Sequence, residues 1–95
     1  MSDVLTRILQ DRLIAVIRTD STERLLDVVS ALADGGISIC EITLTIPNAL
    51  AAIEIISKRL GDQCLIGAGT VLDAQNANRA IDAGAKFIEI GRAHV

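Results

Sequence analysis

Few side chains in this 95-residue chain can do chemistry, and most of them follow one pattern. Glu41 lies inside the run Ile37-Ser38-Ile39-Cys40-Glu41-Ile42-Thr43-Leu44-Thr45, which is otherwise largely apolar and β-branched. Side chains alternate along a strand, so Ile37, Ile39, Glu41 and Thr43 share one face while Ser38, Cys40, Ile42 and Leu44 share the other. An ionised carboxylate buried there without a partner is costly, so it must face a polar cavity, pair with a cation or keep its proton. A structural ion pair with Arg18 is the simplest alternative to a functional role.

Arg18 ends the apolar run from Leu13 to Ile17, and Thr70 ends the run from Leu65. With Glu41 and Thr43 they fall toward the carboxyl ends of successive predicted strands. In parallel α/β folds this is the face where ligand and catalytic groups gather. An arginine, an acid and a hydroxyl at one mouth suit a small anionic substrate that is held and deprotonated. Taken singly, Arg18 also fits a solvated loop residue, and Thr70 a hydroxyl that satisfies backbone groups at a strand end.

The elements that must position these groups alternate along the chain. Val4 to Asp11 reads as a short amphipathic helix, followed by the strand from Leu13 to Ile17. Asp20 or Ser21 caps the next helix, with Glu23 completing a capping box, and Leu25, Leu26, Val28, Val29 and Leu32 form its buried side. Gly35 and Gly36 stop it. After the Ile37 strand, Pro47 starts a helix that carries Leu50, Ile53, Ile56 and Leu60 and stops at Gly61. The strand from Leu65 to Thr70 follows, then a helix capped by Asp73 that runs through Ala77, Ala80 and Ile81 to Gly84. A fourth strand begins at Ala85.

Strand and helix thus alternate four times, and near-continuous apolar strands predict a parallel sheet. Two α/β architectures fit, a doubly wound open sheet or part of a (β/α)8 barrel. Gly67-Ala68-Gly69 resembles a phosphate-binding turn, but Leu72 stands where a dinucleotide fingerprint needs its third glycine.

Composition narrows the function classes. The chain is 51% hydrophobic, with 1% aromatic residues and a net charge of −3. So apolar a chain of this length is expected to oligomerise or to be incomplete. An acidic balance without stacking aromatics argues against nucleic acid as a partner. No membrane span or leader pattern is present, which predicts a soluble cytoplasmic protein without a membrane partner. Cys40 and Cys64 lack metal-ligand spacing and are expected to be reduced, buried hydrophobes.

Five blocks carry a resemblance: Ile14-Ala15-Val16-Ile17-Arg18, Gly35-Gly36-Ile37, Glu41-Ile42-Thr43-Leu44, Gly67-Ala68-Gly69-Thr70-Val71-Leu72 and Ala83-Gly84-Ala85-Lys86-Phe87-Ile88. Together they resemble the 2-keto-3-deoxy-6-phosphogluconate aldolases, over a stretch from about Ile14 to Ile88. The resemblance implies a (β/α)8 TIM barrel, homotrimeric when full length, of which residues 1–88 supply the N-terminal half with about four strands. It also implies a class I aldolase that cleaves the phosphorylated sugar acid to pyruvate and glyceraldehyde 3-phosphate through a lysine Schiff base, with no cofactor and no metal. Some relatives act on the galactonate epimer or on 4-hydroxy-2-oxoglutarate.

On this resemblance Glu41 is the catalytic general acid/base. Thr70 lies near the pyruvate carboxylate, Arg18 binds substrate as in the galactonate branch, and Thr43 and Thr45 of the strand-two motif join the substrate-binding set. Thr45 departs from the gluconate-type pattern, which often has arginine there, so either Arg18 holds the carboxylate alone or substrate preference differs.

The chemistry is coherent from below, since cleavage β to a ketone needs a protonated imine as electron sink and a base for the hydroxyl proton. The imine needs a lysine. Lys58, late in a helix, and Lys86, at the amino end of the fourth strand, are the only two, and neither suits the role. The Schiff-base lysine is therefore expected beyond residue 95.

The closing residues Glu89-Ile90-Gly91-Arg92-Ala93-His94-Val95 match a translated sequencing-adapter read-through, GAG ATC GGA AGA GCA CAC GTC. Residues 89–95 are accordingly expected to be a non-native tail, and His94 is given no role. Such a half barrel should be inactive, with open sheet edges that favour aggregation or pairing. The other readings are a different phosphate-binding βα-barrel lyase or isomerase, and a non-catalytic α/β module that self-associates.

Overall fold

A computed structural model describes Val4 and residues 14–18 and 21–90. The helix expected from Val4 to Asp11 falls outside these residues apart from Val4, which is helical. Among the described residues four strands, β1 (Ala15–Ile17), β2 (Ile39–Thr43), β3 (Leu65–Gly69) and β4 (Phe87–Glu89), alternate with three helices, α1 (Thr22–Asp34), α2 (Ala49–Leu60) and α3 (Ala74–Ala83). The strands are all parallel and lie in sequential order β1-β2-β3-β4.

The register decides between the two architectures. Ile17, Ile42, Ala68 and Ile88 form one row across the sheet, and Ala15, Cys40 and Ile66 another. These residues pack with Leu25 and Val29 of α1, Ala52, Ile53 and Ile56 of α2, and Ala80 of α3 in a single apolar cluster. All three helices therefore cover one face of the sheet. A doubly wound sheet places helices on both faces and reverses its strand order, whereas one-sided helices on sequential parallel strands form the wall of a (β/α)8 barrel.

Local chemistry sets the helix ends. Ser21 caps α1 by accepting the Arg24 amide at 3.3 Å, and Asp73 caps α3 by accepting the Asn76 amide at 2.7 Å. With Ser21 as the cap, the third helical residue is Arg24, so the capping box built on Glu23 does not form. Gly36 takes φ +97°, the left-handed turn that ends α1 and favours a residue without Cβ. Pro47 precedes the Asn48 cap of α2 and does not lie in its first turn.

One expected core residue is corrected. Val28, expected on the buried side of α1, is 39% exposed, because the fully buried stripe of that helix is confined to Leu25 and Val29. Several strands are also shorter than the apolar runs. β1 begins at Ala15, and β2 covers only Ile39–Thr43 of the expected nine residues. β4 begins at Phe87, two residues after Ala85. Cys40 and Cys64 are buried thiols that form no disulfide among the described residues, as expected. Burial, then the neighbouring Cys64, pushes the Cys40 thiol up to about 11, so it stays protonated and packs as a small apolar group.

Candidate functional site

The face of the sheet away from the helices differs in composition. Val16, Glu41, Gly67 and Phe87 form one row across it, and Thr43, Gly69 and Glu89 form the next toward the carboxyl ends. Alternation along β2 therefore sends Cys40 and Ile42 into the helix-side core and Glu41 to the opposite face.

Glu41 is 6% exposed, yet among the described residues no cation lies within ion-pair range of it. The structural pair with Arg18 does not form. Burial raises the Glu41 carboxyl above its ordinary value, and the nearby Glu89 raises it further. Its carboxylate leans along the strand toward Gly69, where a Cβ would stand 2.5 Å from Oε2. A carboxyl held this way favours its protonated form, which suits a group that alternately gives and takes a proton.

The other expected residues divide between two places. Thr43 is buried beside Glu41, and its hydroxyl donates to the Ile17 carbonyl at 3.5 Å. It thereby ties the end of β1 to β2, directly before Arg18. Arg18 itself is exposed at the end of β1. Thr45 and Thr70 line an open cleft of about 580 Å³ between the loops after β2 and β3, with Asn48, Asp73 and Asn76. Glu41 and Arg18 are not part of that cleft. Thr70 lies just past β3, and its hydroxyl donates to Glu89 Oε1 at 3.1 Å.

Glu89 is the neighbour that sequence reasoning left out. Assigned to the closing stretch, it had no expected contact with Glu41, yet it ends β4 and borders the same point above Gly69. Only the cross-strand register reveals that proximity. The two lysines are placed as expected: Lys58 is exposed and pairs with Glu54 at 3.5 Å, and Lys86 is exposed at the amino end of β4.

Comparison with known proteins gives this geometry a family. The sequence model of the KDPG and KHG aldolases matches residues 4–90. This chain belongs to that family. Its segment of the aldolase barrel is 40% identical over 77 residues to the 2-dehydro-3-deoxy-phosphogluconate aldolase of Pseudomonas aeruginosa, covering 81% of this chain and 34% of that protein. It is 38% identical over 76 residues to a probable 2-dehydro-3-deoxy-6-phosphogalactonate aldolase of Rhizobium meliloti, covering 80% of this chain and 36% of the relative.

In three dimensions the aldolase segment matches the crystal structure of KDPG aldolase from Legionella pneumophila, which holds pyruvate captured as a covalent carbinolamine intermediate. That match has a TM-score of 0.77 at 36% identity and covers 85% of this chain and 39% of that one. The chain thus spans roughly a third of the length of the curated relatives it matches, and its four strands are a partial (β/α)8 barrel. Among the described residues no helix is long and apolar enough to cross a membrane.

Proposed function

We propose that this chain is the N-terminal part of a class I aldolase that cleaves 2-keto-3-deoxy-6-phosphogluconate to pyruvate and glyceraldehyde 3-phosphate. The observation that carries this reading is Glu41, a buried carboxyl with no ion-pair partner among the described residues, raised by burial and leaning toward the carboxyl end of the sheet. In this mechanism a lysine amine adds to the substrate ketone, and Glu41 supplies and removes the protons of the resulting carbinolamine. Loss of water gives the protonated imine. The carbon–carbon bond then breaks as its electrons pass into the imine and the hydroxyl proton leaves to Glu41. Glu41 returns a proton to the pyruvate methyl carbon, and water releases pyruvate. The carbinolamine held by the Legionella protein is an intermediate of this type.

Thr70 and Arg18 serve the substrate carboxylate, Thr45 borders the cleft with Thr70, and Thr43 keeps the ends of β1 and β2 in register. Lys58 and Lys86 lie away from this face, so the nucleophile belongs to a later strand and the 95-residue chain by itself is inactive. Residues 89–95 are a non-native tail, so the contacts of Glu89 with Thr70 and Glu41 are absent from the complete enzyme. That enzyme is a cytoplasmic homotrimer without cofactor. One residue favours a second substrate, the galactonate epimer: Thr45 replaces the arginine frequent in gluconate-type members, which leaves Arg18 to hold the carboxylate.

The test is to recover the uninterrupted gene, express it, and treat the protein with pyruvate and borohydride. A lysine adduct of the expected mass supports the Schiff-base reading and locates the nucleophile. A well-folded protein without adduct overturns it. For the tail, a codon series at residues 89–95 in the source DNA read that differs from the adapter overturns the non-native assignment.

A further inference from the structure

Gly67 and Gly69 lie on the same face of β3, opposite the helices, and a side chain at each would meet a different obstacle. At Gly67 a Cβ would run into the ring of Phe87. At Gly69 it would stand 2.5 Å from Oε2 and 2.8 Å from Cδ of Glu41, and 2.9 Å from Oε1 of Glu89. Cβ atoms essentially never approach other heavy atoms within 3.0 Å. The Glu41 carboxylate therefore occupies the volume that any other residue at position 69 would fill. Gly69 is not one of the positive-φ glycines, which among the described residues are Gly36 and Gly84.

We propose that Gly69 is a positioning residue for the proton relay: its missing side chain forms the slot that holds the Glu41 carboxylate against the sheet and aims it at the mouth. The proposal rests on the aldolase reading and deepens it. A glutamate has three rotatable side-chain bonds, and a proton relay works only when its oxygen stays within hydrogen-bond reach of the reacting atoms. The slot removes that freedom with no cation from the described residues in ion-pair range to fix the charge. Of the neighbouring strands, β3 carries no charged residue, β1 is followed by Arg18, which has no ion-pair partner among the described residues, and β4 contributes Glu89. With Glu89 replaced by the native residue, burial in the slot is what sets the behaviour of the carboxyl.

The experiment uses the full-length enzyme and four variants: Gly69→Ala, Gly67→Ala, Glu41→Ala and the double variant Gly69→Ala/Glu41→Ala. The Gly69→Ala change pushes the carboxylate out of its slot toward water. The expected result is a fall in kcat of about 100-fold with KM little changed, since misplacement by about 1 Å has an effect of that order. The acid limb of the pH profile should move to lower pH as the carboxyl gains solvent. Gly67→Ala should lower the melting temperature and leave that limb where the wild type has it. Wild-type kcat and pH profile in Gly69→Ala would overturn the proposal.

Should Gly69→Ala fail to fold, melting in the Glu41→Ala background decides. Recovery of the wild-type melting temperature by the double variant supports the slot, and equal loss with and without the Glu41 side chain overturns it. A wild-type enzyme that forms no pyruvate adduct overturns the aldolase reading and the relay with it. In that case the melting comparison still reports whether residues 69 and 41 share one space.

Discussion

The two faces of the sheet are built from the same strands and treat their residues in opposite ways. On the helix side Ile17, Cys40, Ile42, Ile66 and Ala68 meet α1, α2 and α3 in a continuous apolar core. On the other side the same β2 and β3 present Glu41, Thr43, Gly67 and Gly69, with only Ile39 and Leu65 as large apolar residues. A period of two lets one five-residue strand serve both faces, with Ile42 in the helix-side core and Glu41, its direct neighbour, on the face proposed for chemistry. Stability and function are thus separable by single substitutions one residue apart.

The largest test of that separation is Glu41→Gln in the full-length enzyme. Turnover should fall about 10²–10⁴-fold, the usual worth of a positioned acid/base, while the melting temperature holds or rises. Unchanged turnover would remove Glu41 from the mechanism. The matching change on the other face is Ile42→Ala, which empties a fully buried site. It should cost about 2–5 kcal/mol in denaturant titration and leave kcat per folded molecule unaltered. If Ile42→Ala instead lowered kcat at full folding, the division of labour between the faces would be wrong.

A pH titration of stability sharpens the same contrast. The folded Glu41 carboxyl binds its proton more tightly than the unfolded one, whose ordinary value is 4.5, because burial disfavours its charge, as does Glu89 in the 95-residue chain. Its contribution to stability is therefore fully present below pH 4.5 and is lost as pH rises through the raised folded value. Melting temperatures of the wild type should fall over that window relative to those of Glu41→Gln, which has no carboxyl to titrate. Parallel curves for the two would show that the carboxyl is not raised.

Much of this was legible in the sequence because it depends on neighbours along the chain. Alternation in residues 37–45 gave the two faces of β2, and the glycines at 35, 36 and 61 gave the helix ends. What was missed depends on neighbours across the sheet or on the width of a packed stripe. Gly69 reads in sequence as a loop glycine of phosphate-binding type, and only the register with β2 reveals that it makes room for Glu41. Glu89 comes beside Glu41 through the pairing of β3 with β4. Val28 fits an apolar helix face by type, but the buried stripe of α1 is confined to Leu25 and Val29. Family resemblance supplied the roles of Thr45 and Thr70, which spacing alone left open.

Asp73 offers a smaller test, since it lines the cleft with Thr70 yet also caps α3. If its task is the cap, Asp73→Ala should cost about 1 kcal/mol of stability and Asp73→Asn much less, with KM for the sugar acid unchanged in both. A rise in KM that Asn does not rescue would assign Asp73 to substrate and extend the functional surface into the helix layer.

The smallest effect belongs to Lys58, and it bears on the whole division between the faces. Its amine sits on the solvent side of α2, 76% exposed, and pairs with Glu54 one helical turn earlier at 3.5 Å. An i,i+4 pair so exposed is worth about 0.3–0.5 kcal/mol, so Lys58→Ala should barely shift a denaturation midpoint. A Schiff-base nucleophile is an amine activated by burial or a neighbouring charge beside the substrate; Lys58 lies in solvent and pairs with a carboxylate on the helix side of the sheet. Borohydride trapping with pyruvate should therefore give the same adduct yield in Lys58→Ala as in the wild type. Loss of the adduct would move the covalent chemistry to the helix side of the sheet and reverse the assignment of the two faces.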